Sequence, residues 1–307
     1  MLNQNRFNMK KSLLFAALIL GIGTANAQLV SKKGEAYLPE PGDWSVGVDA
    51  TPFLNYAGNF LSSAGNSAPT QNFLNATQTI IGKYFVSEKM AYRGILRIGM
   101  GSQHWSENIA QHGATAPVYP ALPALVEDTY KEKSTNVGLG GGIEWRRGST
   151  RLQGYYGADL MLTYTNSSRE YTYGNALNDS TSVTAISTSW YGQSSYPQNF
   201  VNDTYGNTAR VTEEKDGSML AFTLRGFGGV EYFIFPKISL AGEFGWGISF
   251  ANSSGGSQSI ESVNFQSIDP SVGTQTIESN KSGRFSLDTD RNLTGTSTGA
   301  LRINFHF

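Results

Sequence analysis

Few residues of this 307-residue chain combine the types and spacing that chemistry requires. It contains no cysteine, which excludes thiolate nucleophiles, disulfides, thiolate metal sites and a lipid-anchored Cys. Of three histidines, His104 has Ser102, Ser106 and Glu107 for neighbours, the residue types of a hydrolytic site. A hydrolase needs Ser, His and a carboxylate within hydrogen-bond reach. This spacing matches no catalytic signature, and a polar surface loop is the plainer reading. Asp288-Thr289-Asp290-Arg291-Asn292 echoes the opening of a calcium loop but lacks the glycine that should follow and a closing Glu. Asp179-Ser180-Thr181 fits a short O-glycosylation pattern, and Glu213-Glu214-Lys215-Asp216 reads as a solvated turn. Gly138 to Gly142 is glycine-rich but opens no helix, so it is not a phosphate loop. With 23 basic against 24 acidic residues, nothing points to nucleic acid. The sequence therefore predicts no enzyme, no cofactor and no metal.

A second set of charges stands out by parity. Asp49, Arg93, Arg97, Glu144, Asp159, Arg225, Glu231, Glu243 and Arg302 fall on the polar face of segments whose other face is apolar. The clearest such segment is the hairpin from Ser218 to Phe250, turned at Phe235-Pro236-Lys237. Its even positions read Leu220, Phe222, Leu224, Val230, Tyr232, Ile234, then Ile238, Leu240, Phe244, Trp246, Ile248 and Phe250. Its odd positions carry Thr223, Arg225, Glu231, Ser239, Glu243 and Ser249. Alternation this long is a strand signal, and each arm exceeds the roughly 9–11 tilted residues that cross a bilayer. The apolar face then meets lipid, and the polar face lines a lumen. Unpaired burial of a charge costs several kcal/mol or more. The charges are thus expected to pair: Arg93 with Glu144, Asp159 with Arg225, and Glu243 and Asp49 with Arg302. Inward glycines make room for them.

The remaining elements follow the same rhythm. Residues 1–27 read as a signal peptide: Met9-Lys10-Lys11, an apolar core from Leu13 to Ile22, and cleavage after Ala25-Asn26-Ala27. Met9 is an alternative start. Residues 28–42 form a periplasmic lead, and 43–307 a single barrel domain. Strands are expected near 43–51, 76–86, 91–101, 135–146, 151–165, both arms of the hairpin, and 299–307. Long loops at about 57–75, 102–134, 166–217 and 251–292 alternate with short turns. This predicts an all-β, eight-stranded antiparallel up-and-down transmembrane β-barrel with long extracellular loops. Trp44, Tyr92, Trp145, Tyr164, Tyr232 and Trp246 are placed as lipid-interface aromatics. A soluble lipocalin-like barrel is the alternative fold.

The layout resembles the small outer-membrane β-barrel proteins, the OmpA-like and porin-like barrels, of a type common in Bacteroidota. The last strand carries the likeness best. Leu301, Ile303, Phe305 and Phe307 share one face, and Phe305 with terminal Phe307 looks like the signal read by barrel-assembly machinery. No peptidoglycan-binding domain follows, so wall tethering is not implied. The resemblance implies an outer-membrane location, with lipid and lipopolysaccharide around the wall. The expected role is structural or interactive, as an accessory subunit of an envelope complex, with a protein partner or surface glycan met through the loops. Tyr173, Trp190, Tyr191, Tyr196 and Tyr205 in the longest loop are candidate contacts. A small-solute pore with a charged lumen is the alternative, and a membrane-embedded hydrolase around His104 the second.

Overall fold

The computed structural model describes residues 29–31, 34–62, 79–179, 181–190, 199–264, 270–288 and 299–307. The stretch expected to be a signal peptide, Tyr191, Tyr196 and the calcium-like motif after Asp288 lie outside the described residues. The chain is all-β and antiparallel. Eight strands form a closed ring: β1 (Trp44–Asp49), β2 (Ile80–Ser87), β3 (Met90–Ala110), β4 (Leu125–Arg147), β5 (Leu152–Thr172), β8 (Met219–Phe235), β9 (Ile238–Ser253) and β13 (Ala300–His306). Each pairs with the next, and β13 pairs with both β9 and β1, which closes the circle. Side chains alternate across the wall, with Leu220, Phe222 and Leu224 exposed outside and Ala221, Thr223 and Arg225 buried inside.

Short turns join strands at one end. In the Phe235-Pro236-Lys237 turn, Lys237 adopts φ 67°, uncommon for a residue with a side chain. Two contacts hold it there. Its carbonyl accepts the His306 N–H at 2.8 Å, and its ammonium lies 3.1 Å from Asp43. The turn is thereby fastened to the closing strand. Two glycines admit the interior charges. A Cβ on Gly142 would stand 2.2 Å from the Asp159 carboxylate, and one on Gly245 2.7 Å from Arg225 Nε.

The opposite end departs from expectation. Where a bulge and loop were expected after Asp49, a helix α1 spans Thr51–Ser62. Asp49 Oδ1 accepts the Thr51 N–H at 2.9 Å, and Pro52 falls in the first turn, where its missing N–H costs nothing. Strands β3 and β4 do not stop at Gly101 and Thr135. Their pairing runs unbroken from Met90↔Trp145 to Ala110↔Leu125. The supposed loop 166–217 contains the end of β5, a 3₁₀ turn Val183–Ala185, β6 (Phe200–Asn202) and β7 (Thr208–Lys215). The last loop contains β10 (Ser257–Asn264), β11 (Ser271–Glu278) and β12 (Ser282–Asp288). The upper halves of β3, β4 and β5 continue sideways through β7, β10 and β11 as one sheet, the cap. β12 instead adds to the ring wall, pairing with β9 above β13.

Candidate functional site: the charged interior and the cap

The ring interior holds two stacked charge clusters. The lower centres on Glu144 and Glu231, both fully buried. Glu144 takes Lys83 at 2.9 Å, Arg146 at 2.8 Å and Arg93 at 3.4 Å. Glu231 takes Arg146 at 2.7 Å and Asn304 at 2.6 Å, with Ser239 and His306 beside it. The upper cluster centres on Asp159 and Glu243. Arg93 donates to Glu243 at 2.8 and 3.2 Å and lies 3.3 Å from Asp159; Arg225 reaches Asp159 at 3.0 Å and Glu243 at 2.9 Å. Aromatic rings fill the remaining space, with the Arg93 guanidinium 3.9 Å from the centroid of Phe227 and Lys83 4.8 Å from that of Tyr155.

The structure thus brings together Arg93 with Glu144 and Asp159 with Arg225, whereas Glu243 is held by Arg93 and Arg225 and not by Arg302. Arg302 is buried without an ion pair among the described residues. Asp49 is only half-buried. It faces Arg302 across the β1–β13 pair, but its Oδ1 caps α1. Arg97 is buried one level higher, opposite Gly138. Sequence parity missed Lys83 and Arg146 as members. Arg146 shares the parity of Glu144 and could have been found. Lys83 could not, because Ile80, Ile81, Tyr84 and Phe85 make both faces of β2 apolar.

Chemically, each of the four cluster carboxylates is held between cations, and Ser239 Oγ and His306 Nε2 lie 3.1 Å apart beside Glu231. Ser102, His104 and Ser106 stand exposed along one face of β3, and Glu107 falls on the other, so a straight strand cannot gather them. Trp44, Tyr92, Trp145, Tyr164 and Trp246 project outward and are exposed, Tyr232 is half-buried, and Trp246 falls mid-strand on β9 rather than near an end. Trp44 packs 4.7 Å from Tyr84. Phe305 and Phe307 also face outward, and Phe307 exchanges two backbone hydrogen bonds with Trp44 at the seam of the ring.

The cap has its own core. Trp105, Tyr130 and Tyr171 are Cα partners on adjacent strands and stack at 5.0 and 4.9 Å, with Trp190 at 5.8 Å. Buried polar side chains tie the long connection down. Asp128 accepts the Gly174 and Thr188 N–H groups at 2.8 and 2.7 Å; Asn199 accepts from Trp190 N–H at 3.0 Å and donates to the Thr188 carbonyl at 2.8 Å. Arg210 reaches Glu261, Ser187 and the Asn175 carbonyl. Arg169 is gripped by Asp216 at 3.0 Å and Glu214 at 3.1 Å, so the stretch read as a solvated turn is the end of β7, paired on both sides and binding a buried arginine. Burial works to lower the Arg169 pKa, but these two carboxylates outweigh it and raise it above its ordinary value. Burial raises the Tyr171 and Tyr173 hydroxyls. Burial acts to raise Asp203 as well, but hydrogen bonds from Asn207, Ser262 and the Tyr205 N–H hold it below the usual carboxylate range. Trp190 and Tyr173, expected as docking residues, pack inside the cap; Tyr205 is exposed.

No family model matches the chain, and no curated protein matches it. One solved structure, "Crystal Structure of Acinetobacter baumannii CarO", is similar at a TM-score of 0.25 and 11% identity, over 87% of this chain and 98% of that one.

Proposed function

We propose that the chain is an integral β-barrel of the outer membrane, delivered by a cleaved signal peptide. Its filled lumen serves stability, and its cap serves interaction with an envelope partner. The observation that carries this is inverted burial. A closed ring of eight strands turns its apolar side chains outward and its arginines and carboxylates inward. In water such a ring would turn inside out; hydrocarbon around it, with the eight strands hydrogen-bonded in a closed circle, favours this arrangement. Eight strands leave room for side chains rather than an aqueous path, and the clamped clusters occupy that room, which supports a structural lumen over a pore. The cap supports the interaction role. It is a hydrogen-bonded sheet with its own aromatic core, and the tip of the β3–β4 hairpin presents Val118, Tyr119 and Leu122 at 82%, 94% and 87% exposure, an apolar knob of the kind that marks a protein contact.

Mild detergent extraction of the tagged protein from its own membrane, followed by sizing and planar-bilayer reconstitution, tests this reading. A stoichiometric companion and an electrically silent bilayer are expected. A monomer with unitary conductance that changes on Arg93→Ala would replace it with the pore.

A further inference from the structure

The cap sheet ends in an open strand. β11 pairs with β10 alone among the described residues, from Ser257↔Glu278 to Asn264↔Ser271 without a shift in register. The Ser279 N–H donates to the Gly256 carbonyl at 2.9 Å, one step beyond this ladder. In an antiparallel pair the hydrogen-bonded positions recur at every second residue. Ser271, Gly273, Gln275 and Ile277 therefore point their N–H and C=O groups at β10, and Val272, Thr274, Thr276 and Glu278 point theirs away from it. Folded proteins shield such an edge with Lys, Pro, a bulge or a very short strand. β11 has none of these. It runs for eight residues, Ser-Val-Gly-Thr-Gln-Thr-Ile-Glu, and all but Gln275 are exposed. Gln275 accepts the Thr204 N–H and hydroxyl at 3.3 and 3.0 Å, which holds the strand in place.

We propose that this edge binds an extended segment of the envelope partner as a further strand, in the antiparallel sense that is the more stable of the two. The proposal rests on the reading of the cap as an interaction surface, and it says where and how the partner docks. The free groups themselves choose the occupant. A row of backbone donors and acceptors at strand spacing is matched by another extended backbone, with alternate side chains giving specificity. Gly273 falls at a position where facing Cα atoms come closest, about 4.5 Å apart, and a Cβ built on it meets nothing within 4 Å. An aromatic ring on the partner strand fits over it, as cross-strand aromatics cover edge glycines. On the other face Val272, Thr274 and Thr276 suit β-branched neighbours, and Glu278, the one ionisable residue of β11, suits a Lys.

The probe is a synthetic peptide of alternating Thr and Val with Phe at its centre and Lys at one end. Amide hydrogen exchange is followed by NMR on the detergent-solubilised full chain, with and without the peptide. In the free chain the Val272, Thr274 and Thr276 amides should exchange fast, and those of Gly273, Gln275 and Ile277 slowly. The peptide should slow the first set by a factor of about ten or more and leave the second unchanged. Thr274→Pro removes one outward N–H and leaves the β10 ladder whole. It should weaken peptide binding roughly fivefold, the worth of one hydrogen bond, whereas Thr274→Val should bind as wild type does. A peptide that leaves the Thr274 and Thr276 amides unprotected, or that binds Thr274→Pro as tightly as wild type, overturns the edge site. Protection of these amides that grows with protein concentration alone would assign the edge to a second copy and overturn it too. Co-extraction from the native membrane separates the two levels. A companion retained by Thr274→Pro overturns this site and leaves the interaction reading standing; a wild type without a companion overturns both.

Discussion

Arg93 and Glu243 offer a sharp test of the interior as a coupled charge network. Their side chains are 0% and 2% exposed and meet through two hydrogen bonds at 2.8 and 3.2 Å. Arg93→Met leaves Glu243 to Arg225 alone and removes a cation from Glu144 and Asp159. Glu243→Gln strips Arg93 and Arg225 of a shared carboxylate. Each single change leaves an uncompensated buried charge and should cost about 3–5 kcal/mol. The double variant is different. Arg225 keeps Asp159 at 3.0 Å, and Glu144 keeps Lys83 and Arg146 at 2.9 and 2.8 Å, so the remaining cluster ions stay paired. Its cost should be no greater than that of either single change, a coupling of about 3 kcal/mol. Urea unfolding in phospholipid vesicles, followed by the fluorescence of the five tryptophans, measures this. At a slope of about 2 kcal/mol per molar urea, each single variant should lower the midpoint by about 2 M. Additive costs would refute the coupling, and single variants with wild-type midpoints would refute the stabilising role of the clusters.

Two further outcomes concern the cap. Asp203 accepts the Tyr205 and Asn207 N–H groups at 2.9 and 2.8 Å and the Ser262 hydroxyl at 2.8 Å. Its folded pKa is depressed, so its contribution is complete above the unfolded value of 3.8 and is lost as pH falls through the lower folded value. Amide exchange at Tyr205 and Asn207, corrected for the intrinsic pH dependence, should therefore accelerate as pH drops below about 3.8. Asp203→Asn should remove that dependence; protection unchanged to pH 2 would contradict it. Trp190→Ala removes a buried ring from the Tyr130–Tyr171 stack and should cost the cap about 3–5 kcal/mol. Limited proteolysis should then cut between Tyr173 and Gly217 while the ring strands stay protected; uncut cap and ring together would show that the stack does not hold the connection.

The sequence by itself determined the ring. Alternation in the Ser218–Phe250 hairpin and in the last strand is a period-two signal that survives because one face of each strand is apolar. That contrast fixes strand type, facing and number together, and a charge found on the inner face must then be buried. Which charges meet was not in the pattern. Ring shear and the length of each side chain place Glu243 on Arg93 and Arg225, leaving Arg302 aside, and the doubly apolar β2 hides Lys83. The cap was not legible for the opposite reason. From Ser102 to Ala110 and from Leu125 to Ser134 the strands carry polar residues on both faces, so no contrast marks them as strands. Only the pairing of β3 with β4 through Ala110↔Leu125, and the burial of Tyr130, Trp190 and Asn199 against chain that is distant in sequence, makes them a sheet with a core. Alternation reports the surroundings of a strand one residue at a time, whereas long-range contacts between unlike segments exist only once the chain has folded.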